Sequence, residues 1–318
     1  MSADANPPVA LTIAGSDSGA GAGIQADIKT MSALGVFATT AVTAVTAQNT
    51  AAVVDVHYLP ADMVGSQIRA VLDDLPVASV KTGLLGTAAV IETVGRLAAS
   101  GRLPRLVVDP VMVASTGRSL LADEGLGAYR RDLIPHALVV TPNLWEAALL
   151  AGVPYSEVQG IETMIEVARE IHRLGPTWVL VKGGHLPGVE HRPGSQAPED
   201  RSEDPGDDHS RDGSNDRPDE VADVLFDGTD VTVLQGPWVD TANTHGTGCS
   251  LSSAIVAYLA RGADVPLAVA SAKEFVHNAL VGGAQWRLGQ GHGPLDHLGW
   301  TTGTAGTAGT AGVITPRR

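Results

Sequence analysis

The chain of 318 residues contains a single cysteine, Cys249, and only four lysines, Lys29, Lys81, Lys182 and Lys273. One cysteine excludes an intramolecular disulfide framework and a cysteine-based zinc cluster. No apolar run reaches the length of a membrane span, and Met1–Pro8 lack the basic start and apolar stretch of a secretion signal. The expectation is a soluble cytoplasmic protein with no membrane attachment. Positive charge is also scarce, with 21 Lys and Arg against 35 Asp and Glu and a formal net charge of −14. That balance argues against a nucleic-acid partner or an anionic membrane, but leaves room for a local basic site that takes phosphates. No G-x-x-x-x-G-K-[ST] loop occurs, so a P-loop nucleotide fold is unsupported.

Apolar residues are nearly missing from one internal stretch. Between Pro187 and Glu220 only Val189 and Ala197 are apolar, while eleven Asp or Glu stand against four Arg, a net of −7. Such a segment cannot bury enough surface to offset its ordering entropy, and it is expected to be a disordered insertion. From Thr301 to Gly312 the run T-T-G-T-A-G-T-A-G-T-A-G reads as a low-complexity tail. The chain as a whole is 44% apolar with 37 glycines, enough for a large core in one big α/β domain or two small ones.

The remainder alternates. Strand-like runs stand at Val9–Ala14, Ala38–Ala47, Ala78–Lys81, Leu106–Val108, Ala137–Val140 and Trp178–Val181. Helical patterns cover Ile24–Leu34, Ala61–Leu72, Ala88–Ala99, Glu146–Ala151, Glu162–Leu174, Gly248–Ala260 and Leu267–Gln285. Asp223–Phe226 and Val231–Leu234 flank Asp227-Gly228 as a hairpin. Strands alternating with helices predict βαβ units and a mostly parallel sheet covered on both faces. In such sheets ligands bind at the carboxyl ends of the strands, which directs attention to seven loops.

The first, A-G-S-D-S-G-A-G-A-G-I-Q-A-D from Ala14 to Asp27, could hold a dinucleotide or a phosphate or form a plain tight turn. Its spacing is not the dinucleotide fingerprint. The loop D-T-A-N-T-H-G-T-G-C, Asp240 to Cys249, leads into an Ala/Ser-rich helix. Backbone N–H groups of Gly246, Thr247 and Gly248 can form an anion hole there, and a side chain at Gly246 would fill the space a phosphate needs. Cys249, on the first turn, would have a lowered pKa and could act as a base; the plainer alternative is a small buried apolar residue. Lys81 and Lys182 each end a strand before a Gly-containing loop. Lys182 is placed to meet phosphate, whereas Lys81 could do so or could pair with a structural carboxylate.

The A-G-S-D-S-G-A-G-A-G-I-Q-A-D loop, A-Q-N-T (47–50), V-D-P-V-M (108–112), T-P-N-L-W-E-A (141–147), V-K-G-G-H (181–185) and N-T-H-G-T-G-C (243–249) occur in that order. Together they resemble the hydroxymethylpyrimidine/phosphomethylpyrimidine kinases of thiamine biosynthesis, in the ribokinase-like superfamily. G-H-G-P-L-D-H (291–297) is similar to that family's closing segment. The resemblance implies a three-layer α/β/α sandwich with a central, mainly parallel sheet, one kinase domain over 1–298 interrupted by 187–220, and a tail at 299–318. It implies a homodimer that uses ATP and Mg2+ to phosphorylate the hydroxymethyl group of 4-amino-5-hydroxymethyl-2-methylpyrimidine and then the monophosphate. By the same resemblance Cys249 is the base. Asn143 and Glu146, as N-x-x-E, organise Mg2+ and phosphate, though Glu146 could equally be a helix N-terminal carboxylate. Gln48 reads the pyrimidine edge with one donor and one acceptor. Asp27 contacts substrate or simply complements a helix N-terminus; Gly15, Ala22, Thr46, Leu84 and Val111 wall the slot, with ordinary core packing the alternative for Ala22, Leu84 and Val111. Two alternatives stand beside this one: a pyridoxine/pyridoxal kinase of the same superfamily, and a catalytically idle pyrimidine-binding sensor.

Overall fold

The computed structural model describes residues 6–113, 120–121, 124–184 and 220–301. The acidic stretch before Glu220, His185 and the repeat beyond Thr301 lie outside the described residues. Six strands lie parallel in the centre of a nine-stranded sheet: β1 (Val9–Ser16), β2 (Phe37–Gln48), β4 (Val77–Thr82), β5 (Leu106–Val108), β6 (Val139–Val140) and β7 (Trp178–Val181). Their spatial order is β2-β1-β4-β5-β6-β7. Antiparallel strands close both edges, with β3 (Val53–Tyr58) on β2 and the hairpin β8 (Glu220–Phe226) and β9 (Val231–Pro237) on β7. The connector 182–219 thus joins two adjacent antiparallel strands, with Val181 opposite Val224. In the expected hairpin turn, Asp227 Oδ1 accepts the Thr229 and Asp230 N–H groups at 2.8 and 2.6 Å.

The helices are α1 (Gly23–Ala33), α2 (Ala61–Asp74), α3 (Ala88–Ala99), α4 (Gly125–Ala128), α5 (Leu144–Ala151), α6 (Ile161–His172), α7 (Thr247–Ala260) and α8 (Val265–Gly283). Side chains alternate across a strand, and the core divides accordingly. Leu11, Ile13, Val80, Leu106, Val108, Val140, Val179 and Val181 point to one face, where α2, α3, α5 and α6 cover them. Ala10, Val107, Val139 and Leu180 point to the other, under α1, α7 and α8. This is the expected three-layer arrangement.

Helix α7 has no polar outer stripe. Residues 250–257 are all buried, because α7 lies between the sheet and the helices α1 and α8. A helix buried on nearly all sides must satisfy its polar side chains internally, as Ser250, Ser252 and Ser253 do. The second face also carries buried polar side chains, Thr12, Ser79, Lys81 and Asp109 from the sheet and Ser252 and Ser253 from α7. These polar groups beneath the first turns of α7 bring the two halves of the site together.

Candidate active site

Three loops at the carboxyl edge of the parallel strands meet the start of α7. Asp109 follows β5, Asn143 follows β6, and Lys182 follows β7, with Asn143 and Lys182 bridged through their backbones. Lys182 Nζ lies 3.0 Å from Asp109 Oδ1. Thr141 donates to the same oxygen at 3.3 Å, and Ser252 of α7 donates to Asp109 Oδ2 at 3.1 Å. Burial works against both charges, but each holds the other: Lys182, then Lys81, keeps Asp109 below the usual carboxylate range, and Asp109 with Glu146 keeps Lys182 above the usual lysine range.

A Cβ placed on Gly248 would stand 3.2 Å from Lys182 Nζ. The lysine therefore faces the first turn of α7, where a helix leaves N–H groups without intrahelical partners. Lys182 and Gly248 thus border one small space suited to an anion, whereas the Thr247 N–H, expected in the anion hole, is given instead to the Thr244 carbonyl at 3.2 Å. Gly246 plays a different part from the one expected. Its φ is +86°, and a Cβ there would meet the Gly21 carbonyl oxygen at 1.9 Å. The absent side chain makes room for the first glycine-rich loop, which interlocks with this one.

Cys249 is half-buried, with the Gly23 N–H on its sulfur. The expected lowered pKa is corrected. Loss of solvation pushes the thiol up to about 11, and Asp27 and Asp109 add to that; Lys81 and the Gly23 N–H only partly offset it. Asp27 also requires correction as a substrate contact. It sits in the second turn of α1 with no exposed surface. Its carboxylate takes Lys81 Nζ at 2.8 Å, Ser253 Oγ at 2.6 Å and Thr12 Oγ1 at 2.6 Å. Every strong acceptor direction is directed into protein, so Asp27 is the structural carboxylate that Lys81 was offered as one of two readings. Burial opposes the charge on Lys81, but Asp27, Cys249 and Asp109 hold its pKa up.

Asn143 and Glu146 form a reciprocal cap on α5. Asn143 Oδ1 accepts the Glu146 N–H and Glu146 Oε2 accepts the Asn143 N–H, both at 2.9 Å. One lone pair of the Asn143 oxygen is therefore used by the helix, leaving its NH2 as the group that could donate to a phosphate, and the helix-terminal alternative for Glu146 is realised. Glu146 is nonetheless 4% exposed. Burial, with Asp109 adding, pushes its carboxyl up to about 7 against the pull of Lys182. A buried carboxylate with a raised pKa is one that a divalent cation would hold ionised. Among the described residues no three His, Cys, Asp or Glu gather to cage a metal. Glu146 and Asp109 fit a cation such as Mg2+, which uses one or two carboxylates and completes its shell with waters and substrate phosphates.

The slot residues gather on the other side of β1. A Cβ on Gly15 would stand 3.0 Å from Leu84 Cδ2, and Leu84 packs with Ala44 and Leu120 in a small apolar cluster that Val111 joins. Thr46 Oγ1 donates to the Ser16 carbonyl at 3.0 Å. Ala22 caps α1 and gives its N–H to Asp17 Oδ2 at 2.8 Å. The Gln48 amide lies between Thr46 Oγ1 and His245 Nε2, 3.3 Å from each. Sequence reasoning missed Asp17, Asp109, Ser252 and His245. Three of them lie inside quoted motifs, as the acid of S-D-S-G, the acid of V-D-P and the histidine of T-H-G-T-G.

The model of the phosphomethylpyrimidine kinase family matches residues 17–296. A hydroxymethylpyrimidine/phosphomethylpyrimidine kinase of Streptomyces coelicolor is 43% identical over 297 residues, spanning 93% of this chain and 96% of that protein. Among solved structures, an ADP complex of Bacillus subtilis pyridoxal kinase superposes with a TM-score of 0.76 at 34% identity, covering 93% of this chain and 100% of that one. A phosphomethylpyrimidine kinase from Clostridium difficile gives 0.67 at 35% identity, covering 86% and 99%.

Proposed function

The chain belongs to the phosphomethylpyrimidine kinase family, and from that premise we propose which residues carry its reaction. It is an ATP-dependent kinase of thiamine biosynthesis that phosphorylates 4-amino-5-hydroxymethyl-2-methylpyrimidine and then its monophosphate. The observation that carries the assignment of roles is the convergence of Lys182, Gly248 and Cys249, with Lys182 Nζ 3.2 Å from the place of a Gly248 Cβ.

Gln48 holds the pyrimidine edge, with Gly15, Ala22, Thr46, Leu84 and Val111 around the ring. The hydroxymethyl oxygen attacks the γ-phosphorus of ATP, the bond to the ADP oxygen breaks, and the hydroxyl proton passes to Cys249 Sγ. Phosphoryl transfer runs through a loose transition state in which charge stabilisation outweighs early proton removal. A thiol with a pKa of about 11 is ionised in only a small fraction of molecules near neutral pH, and it is this thiolate fraction that accepts the hydroxyl proton and becomes the neutral thiol. Lys182 and the N–H group of Gly248 bear the charge of the transferring group. Mg2+ held by Glu146 and Asp109 would neutralise phosphate charge. In the second step the monoester is already ionised and has no hydroxyl proton to surrender.

Among the described residues no helix is long and apolar enough to cross a membrane; we place the enzyme in the cytoplasm as a homodimer. Val45 and Val54, 50% and 72% exposed on the β2–β3 edge, suit a protein contact. The pyridoxal kinase alternative draws on the superposition with that enzyme. The idle-sensor alternative leaves Lys182, Asp109 and Glu146 without a task. Steady-state kinetics with ATP decide among them. A higher kcat/KM for the aminopyrimidine than for pyridoxal supports the reading, the reverse order transfers it to pyridoxal, and no turnover with either leaves the sensor.

A further inference from the structure

His245 precedes the Gly246 turn and is 6% exposed. Its Nε2 lies 2.9 Å from Asp17 Oδ2. Asp17 also accepts backbone N–H groups from Gly19 at 2.8 Å, Gly21 at 3.1 Å and Ala22 at 2.8 Å. Burial alone would raise its pKa, but His245 and these amides hold it below the usual carboxylate range. An ionised carboxylate only accepts, so the proton between the two side chains belongs to His245 Nε2.

That proton bears on Gln48. In the observed rotamer the amide nitrogen of Gln48 stands 3.3 Å from His245 Nε2, donor against donor. On the other side Thr46 Oγ1 gives its one proton to the Ser16 carbonyl and turns only lone pairs to the Gln48 oxygen 3.3 Å away. The two ends of an amide are told apart by their partners and not by their shape. A half-turn of the Gln48 amide replaces the donor–donor contact with an oxygen that shares the His245 Nε2–H with Asp17, and turns the Thr46 contact into a donor–acceptor pair.

We propose that Asp17, His245 and Thr46 are positioning residues that fix the sense of the Gln48 amide, oxygen toward His245 and nitrogen toward Thr46, and so decide which way round an aminopyrimidine binds. The proposal rests on the reading of Gln48 as the pyrimidine contact. The exocyclic amine then donates to the Gln48 oxygen on the His245 side, and the adjacent ring nitrogen accepts from the amide on the Thr46 side. The hydroxymethyl-bearing carbon neighbours the amine-bearing carbon. This orientation therefore turns the hydroxymethyl group toward the residues that follow His245, from Gly246 to Cys249, where the phosphoryl group arrives. The reverse sense would point it away.

The 4-oxo analogue of the substrate carries the inverse pattern, an acceptor at position 4 and a donor on the ring nitrogen. The full-length enzyme with ATP is assayed on both compounds. For His245→Ala we expect the preference for the 4-amino over the 4-oxo compound to fall about tenfold, the worth of a hydrogen bond or two, through KM more than kcat. Thr46→Val, which keeps the shape but removes the Oγ1 acceptor, should show a smaller fall of the same kind. Equal losses on both compounds would mean a merely structural role and overturn the proposal. So would an imidazole nitrogen spectrum showing His245 neutral with its proton on Nδ1, a readout independent of how either variant folds. Gln48→Ala separates the two layers. If it leaves the KM of the 4-amino compound unchanged, the pyrimidine-contact reading itself fails. If it raises that KM while His245→Ala keeps the preference intact, only the positioning role fails.

Discussion

Two lysine–aspartate pairs flank the first turns of α7, and they differ chiefly in cover. Lys81 and Asp27 are both at 0% side-chain exposure, whereas Lys182 and Asp109 are at 14% and 2%. Asp27 is saturated by a lysine and two hydroxyls at 2.6–2.8 Å. Asp109 holds its lysine and hydroxyls more loosely, at 3.0–3.3 Å. The sealed pair binds β4, α1 and α7 into one unit. The pair at the rim leaves its cation facing the Gly248 turn, where a charged ligand can compete for it. The same two residue types thus serve as a joint in one place and, in the function proposed above, as a phosphate contact in the other, according to how tightly the three donors hold the carboxylate and how fully the lysine is covered.

The contrast can be broken most violently at the joint. Lys81→Met strips the buried Asp27 carboxyl of its charged partner, which costs about 3–5 kcal/mol and should lower the melting temperature by roughly 5–9 °C. Adding Asp27→Leu should recover much of that loss, because replacing both partners by apolar groups is often neutral. A Lys81→Met protein that melts like wild type but has lost turnover would move this pair into the site and erase the contrast.

Between the pairs stands Cys249, whose thiol is near both lysines. Cys249→Ala should slow the first phosphorylation about 10²–10⁴-fold and the second much less, in separate assays of the two steps. Since the thiol is raised to about 11, the ionised base becomes scarcer as pH falls. The kcat/KM of the first step should therefore climb with pH through 9 in wild type, while Cys249→Asp should flatten that rise. A wild-type plateau near pH 7 would show that the base ionises far lower.

At the rim, Lys182→Ala should shift the melting temperature by only a few degrees while weakening ATP handling about 10–100-fold, as loss of one or two charge-assisted contacts does. Calorimetry with a nucleotide and with the pyrimidine checks it: lost pyrimidine affinity with unchanged nucleotide affinity would remove Lys182 from the phosphate site. A third pair sharpens the scale from below. Arg131 and Glu92 lie 3.5 Å apart with side chains 65% and 43% exposed, and Arg131→Ala should change stability by no more than about 0.5 kcal/mol, read by denaturant unfolding.

The sequence was an uneven guide to this contrast. Leu106–Val108, Trp178–Val181 and Ala88–Ala99 read directly as the elements they form, because apolar runs or a helical period sit between clear breakers. Strand β3 escaped notice: it is an edge strand whose Val54 is 72% exposed, so no buried face disciplines its pattern. The glycine-rich α4, with the π and 3-10 turns that follow it, offers no clean period either. In the site, Lys182 and Gly246–Cys249 announce themselves as motifs. The depth of Asp27 does not, since it depends on Thr12 and Ser253, 15 and 226 positions away. The same holds for the thiol of Cys249, where a helix start suggests a low pKa and only the packing around it reveals the opposite.

The antiparallel pairing of β7 with β8 has a practical consequence. With Val181 opposite Val224, the connector 182–219 joins neighbouring strands, so its two ends lie within a few residues of each other along the sheet edge. Lengthening a tether of that kind is cheap, since each doubling of length adds only about 0.6 kcal/mol of closure entropy. The position is therefore a natural port for grafting a second folded module whose own termini lie side by side.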